Sequence, residues 1–161
     1  MKFKYLFVGL LCFLFVQSVM AQQVKGVKVT EIERMIAESK TPLIINFWAT
    51  YCKPCIAEMP HFEKMAAKYK DKGLTVVFVS LDMQDDYPAK VDSFVRKRKV
   101  QNKVLWLDET NADYFCPKID PKWSGAIPAT LLINTAKAHR RFFEEELTEQ
   151  ELEKEIMAIL N

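Results

Sequence analysis

The amino-acid sequence predicts an α/β protein with a mixed central β-sheet flanked by helices on both faces. Apolar runs typical of buried strands alternate with segments whose apolar residues recur at helical spacing. The last two strand-like segments are close enough to pair as an antiparallel hairpin, and a helix follows them. The 161 residues, half of them hydrophobic, suit one domain whose core needs no disulfide staples.

The first predicted elements are a helix and a buried strand. A capping-box pattern at Thr30 and Glu33 predicts a helix that continues to about Ser39. The short stretch at residues 24–29 precedes this helix. The continuous apolar run at residues 43–48 then predicts a strand that is covered on both of its faces.

The middle of the chain repeats the alternation of helix and strand. Apolar residues recur at helical spacing over residues 54–70, and Gly73 then ends this helix. The apolar run at residues 74–81 predicts a second buried strand. A helix over residues 88–98 and a short strand over residues 104–107 complete the alternation.

The last third of the chain predicts the antiparallel part of the sheet. The segment 108–126, which contains several Pro and Gly residues, indicates a short helix followed by a loop. Residues 129–133 and 139–143 predict two strands that a turn joins into a hairpin. A capping-box pattern at Thr148 and Glu151 predicts a final helix that ends near the C-terminus.

The first 21 residues have the pattern of a secretory signal peptide. Lys2 and Lys4 precede an apolar run at residues 5–16, which is shorter than the roughly 18 residues that a transmembrane helix needs. We therefore predict cleavage after Ala21 and a folded domain over residues 22–161, with an uncleaved membrane anchor as the alternative. The predicted location is outside the cytoplasm, in the periplasm.

Charge and cysteine content narrow the function of the predicted mature chain. Without the signal segment it has equal numbers of basic and acidic residues, which gives no support to nucleic acid as a partner. The basic run at residues 96–99 is interpreted as the solvated end of a helix, where cations are favourable. The default expectation for the oligomeric state is a monomer. The three cysteines that remain are too few for a disulfide scaffold, so Cys52 and Cys55 are interpreted as a working pair and Cys116 as a single thiol.

The Cys-Lys-Pro-Cys stretch follows the first buried strand and opens the next helix, which favours redox chemistry. Thiol-disulfide exchange needs a thiolate, and a helix N-terminus with Lys53 beside it favours negative charge on Cys52. Cys52 is the predicted nucleophile, Pro54 suits the first turn, and Cys55 resolves the mixed disulfide. A zinc site is disfavoured because Cys116 and the two histidines are not at a metal-binding spacing.

Three motifs together resemble the TlpA/ResA-like family of exported thiol-disulfide oxidoreductases, which have the thioredoxin fold. They are FWATYCKPC after a buried strand, an ExP motif just beyond it, and GAIPATLLIN near the C-terminus. The resemblance covers residues 24–161 and implies a cis-proline that faces the cysteine pair and helps to dock an extended substrate. The residues predicted to contact the substrate are Trp48, Lys53, Pro54, Ile127 and Pro128. For Trp48, core packing is the alternative interpretation.

Glu58 is the third predicted catalytic residue, after the two cysteines. It lies three residues beyond Cys55, hence on the same helix face, and the resemblance implies that a glutamate here tunes the cysteine pair. Its carboxylate could take the proton of a buried thiol, although stabilisation of the helix dipole is an alternative role. Many cytosolic thioredoxins have a buried aspartate where this chain has Asn46, which cannot act as a base, so proton transfer would fall to Glu58, a water or the substrate. Peroxiredoxins have a Thr or Ser three residues before their reactive cysteine. This chain has Ala49 at that place before Cys52, which disfavours peroxidase activity.

These observations predict an extracytoplasmic thiol-disulfide oxidoreductase, specifically a disulfide reductase that acts on protein substrates. It would need no organic cofactor and no metal, and a membrane thiol donor would supply its electrons. The alternatives are a disulfide-forming oxidase or isomerase, and a non-enzymatic thiol-dependent metal-binding or chaperone module. Lys53 and Pro54 do not by themselves determine the reduction potential that separates reductase from oxidase.

Overall fold

The computed structural model describes residues 23–161, so the predicted signal peptide lies outside the described residues. The strands in chain order are β1 (Lys25–Val27), β2 (Leu43–Trp48), β3 (Thr75–Ser80), β4 (Lys103–Leu107), β5 (Ala129–Asn134) and β6 (His139–Phe143). The helices are α1 (Val29–Glu38), α2 (Lys53–Lys68), α3 (Ala89–Arg98), α4 (Ala112–Ile119) and α5 (Glu149–Leu160).

The six strands form one mixed sheet in the order β1-β4-β3-β2-β5-β6. The first four strands in this order run parallel, whereas β5 is antiparallel to β2 and β6 is antiparallel to β5. One apolar core lies between the sheet and helices α2, α3 and α5, and a second lies between the sheet and helices α1 and α4. The predicted mixed sheet with helices on both faces is therefore confirmed.

The N-terminal elements differ from the prediction. The short stretch before the first helix contains the edge strand β1, which three residues are too few to reveal by periodicity. The predicted capping box at Thr30 and Glu33 is wrong, because α1 begins at Val29 and Lys28 provides no side-chain cap. The N–H of Val29 instead donates to the carboxylate of Glu109 at 3.1 Å, a partner distant in sequence.

The other predicted elements are present, and their bounds differ from the prediction by a few residues at most. Strand β2 is buried along its whole length, as its apolar pattern predicts, because strands and helices cover it on every side. The capping box that begins α5 is present, with Thr148 and Glu151 as its partners. Gly73 adopts the left-handed conformation (φ 77°) that ends the turn after α2, as expected for a glycine there.

The strand order determines where the cysteine pair lies. Strand β2 is central in the sheet, and its C-terminal end leads directly through a short turn into α2. Because β5 is antiparallel to β2, the start of β5 lies at this same end, with Ala129 opposite Phe47. The residues just before β5 and just after β2, far apart in sequence, therefore meet at one edge of the sheet.

Candidate active site

Cys52 and Cys55 form a disulfide at the N-terminus of α2. Cys52 is the N-cap residue, and its Sγ accepts a hydrogen bond from the backbone N–H of Cys55 at 3.3 Å. The exposed fraction is 8% for Cys52 and 0% for Cys55, while Lys53 and Pro54 between them are exposed. Of the two cysteines, Cys52 is therefore the one that keeps some exposed surface.

The turn that precedes Cys52 is held by a buried carboxylate that the sequence analysis missed. Asp82, just beyond β3, accepts hydrogen bonds from the backbone N–H of Thr50 at 3.0 Å and from its hydroxyl. Asp82 also accepts from the Ser80 hydroxyl at 2.7 Å, and its backbone carbonyl accepts from the Trp106 indole N–H. A polar residue at the end of a buried strand beside the active-site strand is the signal that could have revealed it.

The loop before β5 brings Pro128 to the same edge of the sheet. The Ile127–Pro128 peptide bond is cis, Pro128 is buried, and Ile127 is half-buried and packs against both cores. The Tyr87–Pro88 bond, far along the chain, is also cis. The antiparallel register of β5 against β2 thus brings the IPAT segment to the cysteine end of the sheet.

Glu144, which the sequence analysis also missed, holds the loop that leads to Pro128. Its carboxylate accepts hydrogen bonds from the backbone N–H of Ser124 at 3.0 Å, from the Ser124 hydroxyl, and from the backbone N–H of Ala126 at 2.9 Å. Burial acts to raise the pKa of Glu144, but these hydrogen bonds outweigh it and hold the pKa below its ordinary value.

Glu58 lies fully buried one helical turn beyond Cys55. One carboxylate oxygen accepts from the Asn46 side-chain amide at 2.8 Å, and the other accepts from the backbone N–H of Leu147 at 2.8 Å. Burial raises the pKa of Glu58 to about 7, although the bonds from Leu147 and Asn46 act in the opposite direction. A carboxyl with this pKa can exchange its proton near neutral pH.

Trp48, a predicted substrate contact, is fully buried at the end of β2 and packs against Phe94 with ring centroids 4.8 Å apart. Since its side chain has no exposed surface, the structure favours core packing over direct contact with a substrate. Its indole Nε1 has no hydrogen-bond partner among residues 23–161.

An open cleft of about 480 Å³ lies beside the active-site turn. Tyr51, which is 56% exposed, and Met83, which is 71% exposed, form part of its wall, and Ile127 lines it as well. Exposed apolar side chains of this kind are suited to cover an apolar part of a protein partner.

Cys116 lies in α4, where it is 3% exposed. Gly125, in the loop that Glu144 holds, lies against it, since a Cβ added there would be at van der Waals contact, 3.6 Å, from the Cys116 Sγ. Burial, assisted by the charges of Glu144 and Asp113, raises the pKa of the Cys116 thiol to about 11. This environment keeps Cys116 protonated and unreactive, in agreement with the interpretation of a single thiol outside the working pair.

Within residues 23–161, three or more His, Cys, Asp or Glu side chains do not come together in a way that could hold a metal ion. None of the helices within this range is long and apolar enough to cross a membrane.

The chain matches a known protein family and has curated relatives. The model of the AhpC/TSA family matches residues 17–139. The thiol-disulfide oxidoreductase ResA of Halalkalibacterium halodurans is 30% identical over 115 residues, which cover 69% of this chain and 60% of that protein. The thioredoxin-like protein YneN of Bacillus subtilis is 39% identical over 74 residues, which cover 45% of this chain and 42% of that protein. The chain thus spans 60% or less of the length of these relatives.

Solved structures identify the fold. A thioredoxin-related protein from Neisseria meningitidis serogroup B superimposes with a TM-score of 0.64 at 23% identity, covering 77% of this chain and 89% of that one. A thiol:disulfide interchange protein of the thioredoxin family from Chlorobium tepidum gives a TM-score of 0.63 at 16% identity, covering 79% and 85%. The thioredoxin fold that the resemblance implies is therefore confirmed.

Proposed function

Because the chain belongs to the AhpC/TSA family and carries a disulfide at the N-terminus of α2, we propose that it is a thiol-disulfide oxidoreductase for protein substrates. The observation that carries this proposal is the difference in exposure within the disulfide. Cys52, at the start of the helix, keeps 8% of its surface exposed, whereas Cys55 is fully buried. Such a pair can form a mixed disulfide through one sulfur and release it through the other.

In the proposed direction the enzyme is a reductase. The thiolate of Cys52 attacks one sulfur of a substrate disulfide, the substrate S–S bond breaks, and one substrate thiolate leaves. Cys55 then gives up its proton and attacks the Cys52 sulfur, which breaks the mixed disulfide and releases the second substrate thiolate. Two electrons pass to the substrate, and the enzyme is left with the Cys52–Cys55 disulfide.

The start of α2 supports negative charge on the attacking sulfur. The N–H of Cys55 points at the Cys52 sulfur, and the dipole of α2 favours an anion at this end of the helix. Lys53 adds a cation in the same turn. These features help Cys52 to act both as the nucleophile and as the leaving group when Cys55 resolves the mixed disulfide.

Glu58 is the proposed acceptor of the Cys55 proton. It lies one helical turn from Cys55, both residues are fully buried, and its pKa of about 7 suits a group that takes and returns a proton near neutral pH. Asn46, at the place where a buried aspartate acts in many cytosolic thioredoxins, cannot take this proton. Burial of both groups also keeps the proton transfer away from bulk water.

Substrate contact is proposed for the surface around Cys52. Lys53, Pro54 and Ile127 have exposed or half-exposed surface, and the loop at Pro128 lies at the same end of the sheet as the cysteine pair. The adjacent cleft offers apolar surface at Tyr51 and Met83 to an unfolded segment of the substrate. The signal-peptide pattern of the first 21 residues supports action outside the cytoplasm, with electrons supplied by a membrane thiol donor.

The reduction potential of the cysteine pair tests this proposal. The purified Cys116→Ala variant is equilibrated against glutathione or dithiothreitol buffers, and its free thiols are counted by mass tagging. A potential of about −270 mV supports a reductase, whereas one of about −120 mV makes the protein a disulfide donor. If the pair forms no disulfide in any buffer, the enzyme proposal fails, and a thiol-dependent binding module replaces it.

A further inference from the structure

Glu58 belongs to a buried polar network that joins four parts of the fold. Asn46 on β2 lies directly opposite Thr130 on β5. The Asn46 Nδ2 group donates to Glu58 Oε1 at 2.8 Å and to Thr130 Oγ1 at 3.0 Å, while the Leu147 N–H donates to Glu58 Oε2 at 2.8 Å. Asn46 Oδ1 is buried and has no hydrogen-bond partner among the described residues.

This arrangement suits the charged form of Glu58. Each carboxylate oxygen accepts a hydrogen bond from an N–H group, and neither of these two partners offers an acceptor to the O–H of a protonated carboxyl. The Leu147 N–H is part of the backbone and cannot change into an acceptor. The side chain of Asn46 can present an acceptor instead of a donor, because its amide carries N–H donors on the nitrogen and an acceptor on the oxygen.

We propose that the Asn46 side-chain amide turns over when Glu58 takes up a proton, so that Oδ1 accepts a hydrogen bond from the protonated Oε1. The Thr130 hydroxyl then changes from acceptor to donor and bonds the same Oδ1. Asn46 and Thr130 are thus positioning residues that let Glu58 hold a proton in one step and release it in the next. Their catalytic importance rests on the proposed function, but the rearrangement itself does not.

The partnerless amide oxygen supports this inference. An unpaired buried polar atom is costly, which calls for a reason to keep it. In the proposed protonated state Oδ1 gains two donors, and Nδ2 loses its partners instead. The two states therefore each leave one side of the amide unpaired, and neither is strongly favoured by hydrogen bonding alone.

Among the described residues around Glu58, Asn46 is the hydrogen-bond partner that can change from donor to acceptor. Glu146, in the loop before α5, is a further charged group that acts on Glu58. Its negative charge disfavours the carboxylate and so acts to raise the pKa of Glu58. On α2 itself, Cys55 lies one turn away. No basic side chain among the described residues forms an ion pair with Glu58, so the proton alone decides its charge.

The test is an NMR titration of the oxidised wild-type protein with labelled asparagine and glutamate side chains. We expect the Asn46 NH₂ resonances and the Glu58 carboxyl carbon to titrate together. We also expect nuclear Overhauser contacts between the Asn46 NH₂ protons and Thr130 at high pH, and their loss at low pH. If those contacts are the same on both sides of the Glu58 titration, the proposal is overturned.

Two variants separate this proposal from a purely structural role. Glu58→Gln presents a permanent donor in place of the protonated oxygen, so its Asn46 amide should keep the low-pH arrangement at every pH. Thr130→Ser keeps the hydroxyl and should retain the pH-dependent change. If the Glu58→Gln variant instead shows the high-pH contacts, the proposal fails. The titration needs no turnover, so a protein that proved unable to exchange disulfides would refute the proposed function while this result still stood.

Discussion

Asp82 accepts two hydrogen bonds from Thr50, one from the backbone N–H at 3.0 Å and one from the side-chain hydroxyl. The two residues lie at the ends of neighbouring parallel strands, and Thr50 is two residues before Cys52. A buried carboxylate with several donors is well satisfied and holds those donors in place. Asp82 therefore fixes the turn that leads to Cys52.

Replacing Asp82 by alanine should destabilise the protein. The change leaves the Thr50 and Ser80 donors without their acceptor in a part-buried turn, so we expect a loss of about 2 kcal/mol in the free energy of unfolding. Urea denaturation at neutral pH measures this. The control Asp85→Ala removes an exposed carboxylate that lines the same cleft, and it should change the free energy by less than about 0.5 kcal/mol. Equal losses in the two variants would contradict the anchoring role.

Replacing Cys55 by serine should trap a mixed disulfide between the enzyme and its substrate. Cys52, which keeps some exposed surface, can still attack, but the second cysteine that would resolve the intermediate is gone. Mass spectrometry of the reduced variant after incubation with a disulfide-containing protein detects the adduct. The matched Cys52→Ser variant, whose remaining cysteine of the pair is buried, should give at least tenfold less adduct. More adduct from Cys52→Ser than from Cys55→Ser would reverse the assigned roles.

Glu58 should make the folded protein less stable as the pH rises. Its folded pKa of about 7 lies above its ordinary value of 4.5, so between these values the unfolded chain releases the proton first. The stability penalty is absent below about pH 4.5, grows through this window, and reaches roughly 3 kcal/mol above pH 7.

The Glu58→Gln variant reveals this penalty because it cannot ionise. Urea denaturation from pH 5 to pH 8 should show the variant gaining stability relative to wild type as the pH rises. Glu38→Gln, an exposed glutamate at the end of α1, serves as the control and should follow the wild-type curve. A constant difference between Glu58→Gln and wild type across this range would exclude a raised pKa for Glu58.

Replacing Glu144 by glutamine should loosen the loop that leads to Pro128. The hydrogen bonds from Ser124 and Ala126 lower the pKa of Glu144, so its contribution is present above the ordinary glutamate pKa and is lost as the pH falls through the lower folded value. Amide hydrogen exchange at Ser124 and Ala126 should be faster in the variant at pH 6. Glu145→Gln, the exposed neighbour, should leave these rates unchanged, and equal acceleration in both variants would argue against the carboxylate contact.

Cys116 should remain unmodified in the native, reduced protein. Its thiol is 3% exposed and has a pKa of about 11, so very little thiolate forms at pH 8. Iodoacetamide should label Cys52 within minutes, and Cys116 only after denaturant is added, as peptide mapping would show. Rapid labelling of Cys116 under native conditions would make it a third redox cysteine.

Local patterns predicted the elements that surround the cysteine pair. The apolar run of β2 is unambiguous because a central strand is covered on both faces, and the helical spacing of α2 is long enough to be recognised. The start of α1 was misplaced because its first N–H finds Glu109, a side chain from another part of the chain, and not the local partner that a capping box assumes.

The sequence predicted only those parts of the candidate site whose residues lie close together along the chain. Cys52, Cys55 and Glu58 share one helix end, so their proximity follows from helical spacing. Asp82 holds the turn before the cysteines, and Glu144 holds the loop before Pro128. Both contacts join residues that are distant along the chain, so sequence spacing could not predict them. Trp48 was predicted to contact substrate, but the packing of Phe94 against it completes its burial.

The amino-acid sequence by itself determined the alternating elements, the place of the cysteine pair at the start of a helix, and the glutamate one turn beyond it, because each depends on residues close along the chain. The tertiary structure alone decided how that glutamate is held. Asn46 and Thr130 are 84 residues apart, and Leu147 is 89 residues from Glu58. They meet because β5 pairs antiparallel to β2 and α5 returns to pack against α2. Burial within that arrangement raises the pKa of Glu58. This shift cannot be predicted from any single stretch of the sequence, because it depends on the packing of distant segments.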